Sequence, residues 1–116
     1  MALSQTGKML RVYVSERDQY NGKPLYEAIV QKCRELTIAG ATVFKGLEGY
    51  GESATIHRQT ALSGAKAAPI MMTIIDRPEK IEKFMPVLDR TVDEGLIAIS
   101  SVEVIRLTRE GSSNNG

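Results

Sequence analysis

PIMMTIID, residues 69–76, decides how the rest of the chain is read. Ile70, Met72 and Ile74 fall on one side of an extended chain, and Met71, Thr73 and Ile75 on the other. A strand without a charged side belongs in the middle of a sheet with cover on each face. After it, RPEK places a proline in the first turn of a helix, and Ile81, Phe84, Met85, Leu88 and Val92 recur as its apolar stripe. Pro86 lies inside that helix and removes one backbone hydrogen bond, so a kink or a restart is expected there. Gly95 is expected to end it, and LIAISSVEVIRL supplies a last strand with a bend at Ser100-Ser101.

Toward the N-terminus the same periods repeat. Leu10, Val12 and Val14 alternate with Arg11, Tyr13 and Ser15, the pattern of a half-buried strand. Asn21-Gly22 marks a reversal. From Pro24 to Ala39, Leu25, Ile29, Cys33 and Leu36 keep helical spacing, with Gly40 as the expected cap. ATVFKGL, from Ala41, is β-branched and aromatic and reads as a strand ending near the glycines. The order β-α-β-β-α-β predicts an α+β ferredoxin-like sandwich, a four-stranded antiparallel sheet with two helices on one face. The other face then needs a cover. Met9, Tyr13, Phe44, Met71 and Thr73 are the candidates for it, and their character predicts burial between copies of the chain.

Composition narrows the functional classes. The 116 residues suit one domain, expected at 8–108, between a flexible lead-in at 1–7 and a disordered tail at 109–116. A formal charge of +1 gives no argument for nucleic acid, and none is expected as a partner. Cys33 is the only cysteine, which excludes an intramolecular disulfide and a Cys-rich metal site. No apolar run approaches the roughly 20 residues of a membrane span, and MALSQTGKMLRVYVSERD does not read as a signal peptide. A cytoplasmic location is the expectation.

FKGLEGYGESATIHRQT, residues 44–60, concentrates the residues that can carry chemistry. Gly46, Gly49 and Gly51 spell G-x-x-G-x-G between two strands. That is neither the dinucleotide fingerprint, which opens a helix, nor the Walker pattern, so no cofactor is implied. Such a turn reads either as an anion nest of backbone N–H groups or as a bulged strand end leading into a hairpin. His57 can be a base, a ligand, a pH switch or a plain loop histidine. No nucleophile, carboxylate pair or metal-ligand spacing accompanies it, so no enzymatic assignment follows. Arg58 and Lys45 bracket the segment with positive charge, which Glu48 and Glu52 offset. Glu16 and Lys23 belong to the charged turn ERDQYNGKP, which sheet topology can bring toward a neighbouring cleft.

A resemblance adds to this reading. The chain carries E-x-D before G-K-P-L at Gly22–Leu25, then G-A-T-V at Gly40–Val43, the glycines 46, 49 and 51, and the pair Ile56-His57. IMMTIID, KIEKFMPVLD and GLIAISSVEVI follow in order. Over about residues 8–107 the sequence resembles a bacterial and archaeal family of small PII-like proteins of unknown function. The resemblance implies a homotrimer and a regulatory, non-enzymatic role. It also implies a small anionic effector, such as an adenine nucleotide, bound between subunits near Gly46, Gly49, Gly51, His57, Arg58, Glu16 and Lys23. Residues 50–65 would be the T-loop that contacts a regulated partner, a membrane transporter or channel by analogy. The chain departs from PII proteins after its second helix, where DRTVDEGLIA holds one glycine in place of a glycine-rich phosphate loop. The alternative is a trimer that binds divalent metal through His57, similar to cation-tolerance proteins.

Overall fold

The computed structural model describes residues 2–49 and 67–108. The elements are β1 (Ala2–Ser15), β2 (Gln19–Tyr20), β3 (Lys23–Pro24), α1 (Leu25–Glu35), β4 (Gly40–Lys45), β5 (Pro69–Asp76), α2 (Pro78–Thr91) and β6 (Leu96–Leu107). Four strands form an antiparallel sheet in the order β4-β5-β1-β6, which is the ferredoxin-like arrangement with both helices on one face. The expected fold is the observed one, and β5 is a central strand between β4 and β1.

Alternation along β1 and β5 builds the core. Leu10, Val12 and Val14 with Ile70, Met72 and Ile74 point to the helix side. They meet Leu25, Ile29 and Cys33 of α1 and Ile81, Phe84 and Leu88 of α2. Each such side chain, fully buried, contributes about 1.5–3 kcal/mol of transfer free energy. The Cys33 thiol is pushed up to about 11 by this burial, so it stays protonated and inert at neutral pH.

Local chemistry explains the ends of the elements. Asn21 and Gly22 both have positive φ, 51° and 81°, the two-residue reversal that joins β2 to β3. Helix α1 stops at Glu35, earlier than the glycine at 40 suggests. Thr37 takes the left-handed position (φ 52°), with Ile38 N–H donating to Cys33 O and Thr37 N–H to Arg34 O. The Lys80 ammonium donates to Leu36 O at 2.7 Å and Thr37 Oγ1 at 2.9 Å, placing a cation at the negative end of the helix. Gly40 opens β4 instead of capping the helix. Pro86 neither ends nor restarts α2. It lies on the exposed side of the helix, as does Glu82, whose carbonyl is the one that loses its partner. Gly95 lies beyond the helix and permits a close approach, since a Cβ there would stand 2.9 Å from Tyr13 O.

Residues 2–7, expected as a loose lead-in, are part of β1 and pair with 102–107 of β6 in an unbroken ladder. Strand β5 reaches only Lys8 of β1, so this stretch forms a two-stranded ribbon beyond the sheet. The expected bend at Ser100-Ser101 is absent, because both residues stay in register with Met9 and Lys8, and Lys8 Nζ donates to Ser101 Oγ at 3.1 Å.

The sheet face away from the helices carries three cross-strand rows. One is Phe44, Met71, Tyr13 and Leu96; the next is Thr42, Thr73, Arg11 and Ala98; the third is Gly40, Ile75, Met9 and Ser100. Phe44 is 49% exposed, Leu96 48% and Tyr13 40%, so this face is an uncovered apolar surface in the protomer. Among the described residues no helix is long and apolar enough to cross a membrane.

The buried carboxylate of Asp76 joins the two connections at one end of the sheet, accepting from Ala39 N–H at 2.9 Å and Arg77 N–H at 2.7 Å. Asp76→Ala leaves both amides without this partner and is expected to lower stability by about 1–3 kcal/mol in chemical denaturation. Asp76→Asn, which keeps one acceptor, should lose less.

Candidate functional site

At the opposite end of the sheet, the strand ends around the segment between β4 and β5 converge on one carboxylate. Glu16 follows β1 directly. Its backbone N–H donates to Ala68 O at 2.9 Å, and its Oε1 accepts from Ala68 N–H at 3.1 Å. Its Oε2 lies 2.7 Å from Lys45 Nζ at the end of β4. A single side chain thus ties the end of β1 to the outgoing end of β4 and the incoming end of β5. The Lys45 hydrogen bond, helped by the Ala68 amide, holds the Glu16 carboxyl below its ordinary 4.5, and the same hydrogen bond raises Lys45.

The turn that carries Glu16 runs from Ser15 to Asp18 and is closed by hydrogen bonds, with Asp18 N–H donating to Ser15 O at 3.0 Å. Ser15 is fully buried; its N–H donates to Asp18 Oδ2 at 2.8 Å, and its hydroxyl accepts from Arg17 N–H at 3.2 Å. Asp18 O accepts from Leu25 N–H at 2.7 Å and so fixes the start of α1 against this turn. Lys32 Nζ lies 5.3 Å from the Tyr20 ring centroid, pinning the β2–β3 hairpin to α1.

Gly46 and Gly49 pack on Pro69. A Cβ on Gly46 would stand 2.9 Å from Pro69 Cγ, and one on Gly49 3.1 Å from the same atom. Gly46 N–H donates to Pro69 O at 2.8 Å. Neither glycine has positive φ, so each is used for close approach of two chain segments, and the Gly46 amide is spent within the protein.

Of the residues singled out in the sequence, the structure brings Glu16, Gly46 and Gly49 together around Lys45, Ala68 and Pro69. Lys23 is exposed on β3, and no hydrogen bond or ion pair joins it to this cluster. Gly51, His57 and Arg58 lie outside the described residues. The roles of Ala68 and Pro69 were missed, because they rest on contacts from residues at least 20 positions away. The only available signal was Pro69 at a strand start, where a missing N–H leaves the carbonyl as the pairing group. Among the described residues, no group of three or more His, Cys, Asp or Glu is placed to hold a metal ion.

Gly46→Ala forces a methyl into the Pro69 ring and its carbonyl, and is expected to cost about 1–3 kcal/mol in denaturant unfolding. The Glu16 carboxyl is lower in the folded than in the unfolded chain. Its stabilising effect is therefore complete above 4.5 and lost as pH falls through the depressed folded value. Glu16→Gln should melt below wild type at neutral pH, with the gap closing on acidification below 4.5 and on adding salt.

Sequence comparison places the chain. The family model DUF190, described as "Uncharacterized ACR, COG1993", matches residues 7–104. A UPF0166 protein of Aquifex aeolicus is 35% identical over 100 residues, covering 86% of this chain and 94% of its own. A UPF0166 protein of Methanocaldococcus jannaschii is 29% identical, covering 85% and 92%. Among solved structures, a putative PII-like signaling protein from Thermus thermophilus superposes with a TM-score of 0.58 at 14% identity, over 87% of this chain and 90% of that one. CPII from Thiomonas intermedia, a nitrogen regulatory PII-like protein, gives 0.54 at 16% over 92% and 100% in its apo form. CPII bound to ADP, AMP and acetate gives 0.55 at 16% over 88% and 91%. These likenesses establish a PII-like fold, and the family match over residues 7–104 shows that the chain belongs to the DUF190 family.

Proposed function

We propose that this protein is a PII-like regulator without catalytic activity: a homotrimer that binds a small anionic effector between subunits and acts on a partner through residues 50–65. The observation that carries the reading is the convergence at Glu16. One carboxylate holds both stems of the segment between β4 and β5, so a ligand seated there acts on the base of that segment. Gly46, Gly49, Gly51, His57, Arg58, Glu16 and Lys23 are the residues proposed to line the effector site.

An adenine nucleotide is the first ligand to test, supported by the fold shared with CPII, whose structures hold ADP and AMP. Lys45, Lys23 and Arg58 supply positive charge for its phosphates. The regulated partner in this reading is a membrane transporter or channel, and the setting is cytoplasmic. The trimer is supported by the apolar rows of the open sheet face, which a second copy would cover.

Thermal shift against ATP, ADP, AMP and cyclic nucleotides, with particle mass recorded in parallel, tests the reading. At one hundred times its Kd a ligand adds about 2.7 kcal/mol, expected as a shift on the order of 10 °C. Gly49→Val and Arg58→Ala should remove that shift and leave the trimer intact. A stable trimer indifferent to every nucleotide would overturn the effector assignment.

A further inference from the structure

Arg11 is the one charged residue in the three rows of the open sheet face. It stands in the middle of β1, in register with Thr73 on one side and Ala98 on the other. Thr42 continues the row beyond Thr73. Residues directly paired across strands share a face, so the Arg11 and Thr73 side chains rise from adjacent positions on one surface, within reach of a common ligand. Every other position in the rows above and below is uncharged, and Phe44, Tyr13 and Leu96 there are large and apolar. No ion pair or hydrogen bond of Arg11 is found among the described residues.

The same-facing side of the ribbon gives no relief. Gln5, Gly7, Val102, Val104 and Arg106 are its members, and none is acidic. If copies of the chain meet through this face, the charges that its described residues bring to the contact are those of Arg11 and Arg106, both positive. A guanidinium removed from water without an anion is prohibitively costly, and here the face itself supplies none.

From this we infer that Arg11, with the Thr73 hydroxyl beside it, is a binding site for a small free oxyanion, a carboxylate or phosphate group, that is sealed when copies of the chain associate through the open sheet face. The guanidinium offers paired N–H donors in the geometry that a planar or tetrahedral oxyanion accepts, and the threonine adds a third donor. This site is separate from the strand-end cluster: Glu16 lies five residues along the chain, roughly 17 Å at strand rise. The inference rests on the association proposed above and not on the effector assigned there. An anion held by Arg11 makes assembly respond to anion concentration, with each bound ion strengthening the contact it neutralises.

The test compares full-length wild type, Arg11→Met and Thr73→Val in chloride and in inorganic phosphate or acetate at matched ionic strength, by native mass spectrometry and thermal melting. Arg11 is exposed in the protomer and supports none of its core, so Arg11→Met is expected to fold. Wild type should gain stability saturably with phosphate or acetate over chloride. Arg11→Met should lose that response while keeping the assembled mass, and Thr73→Val should weaken the apparent affinity several-fold. An anion response that survives in Arg11→Met overturns the site. An assembly that ignores both anions in wild type but falls apart in Arg11→Met also overturns it, and assigns the arginine to a carboxylate of another copy. A monomeric mass at every protein concentration overturns the association and the sealed site together, whereas nucleotide indifference in an anion-responsive assembly sinks only the effector reading.

Discussion

Pairing of β1 with β5 in the centre of the sheet is the constraint from which the rest of the structure follows. The two strands are in register from Lys8 opposite Asp76 to Ser15 opposite Pro69. That register puts Leu10, Val12 and Val14 beside Ile70, Met72 and Ile74 under both helices. A slip of one residue would turn this set outward and bring Arg11 and Thr73 into the core, at the cost of an unpaired buried charge. The hydrophobic effect therefore selects one register. The same choice fixes where both ends of the pair fall.

At one end Asp76 is left to accept from the amides of Ala39 and Arg77, joining the turn after α1 to the start of α2. At the other end Ser15 and Pro69 stand side by side, so Glu16 meets Ala68 and reaches Lys45. The glycines at 46 and 49 let the chain leave β4 flat against Pro69. What looks in the sequence like a flexible glycine run is, at its described start, a tightly packed stem. This gives the regulatory reading its physical content: the base of the segment is held by one exposed ion pair and a few backbone bonds, which an anion can compete for or reinforce.

The open face follows from the same register. It inherits the alternate residues of every strand; Phe44, Tyr13 and Leu96 among these are large, apolar and half-exposed, and Arg11 is the one charged member of the three rows. A sheet face of this kind leaves apolar surface uncovered in the protomer, and in the proposed association the cation at its centre would make the contact sensitive to charge.

By itself the sequence determined the elements whose chemistry is local. The alternation in β1, the double-sided apolar run of β5, the helical stripes of α1 and α2 and the Asn21-Gly22 reversal are properties of neighbouring residues, and they suffice for the ferredoxin-like order. The candidates for the second face were legible for the same reason, since period two assigns Met9, Tyr13, Phe44, Met71 and Thr73 to one side. Tertiary structure alone decided what depends on partners distant in the chain. Residues 2–7 have no strand pattern of their own and extend because the apolar end of β6 pairs with them. Helix α1 ends at Glu35 because Ile38 must return to the core and Lys80 of α2 covers the last carbonyls, which a glycine at 40 could not foretell. Glu16, Lys45 and Pro69 are separated by tens of residues, and only strand register, itself fixed by burial, makes them neighbours.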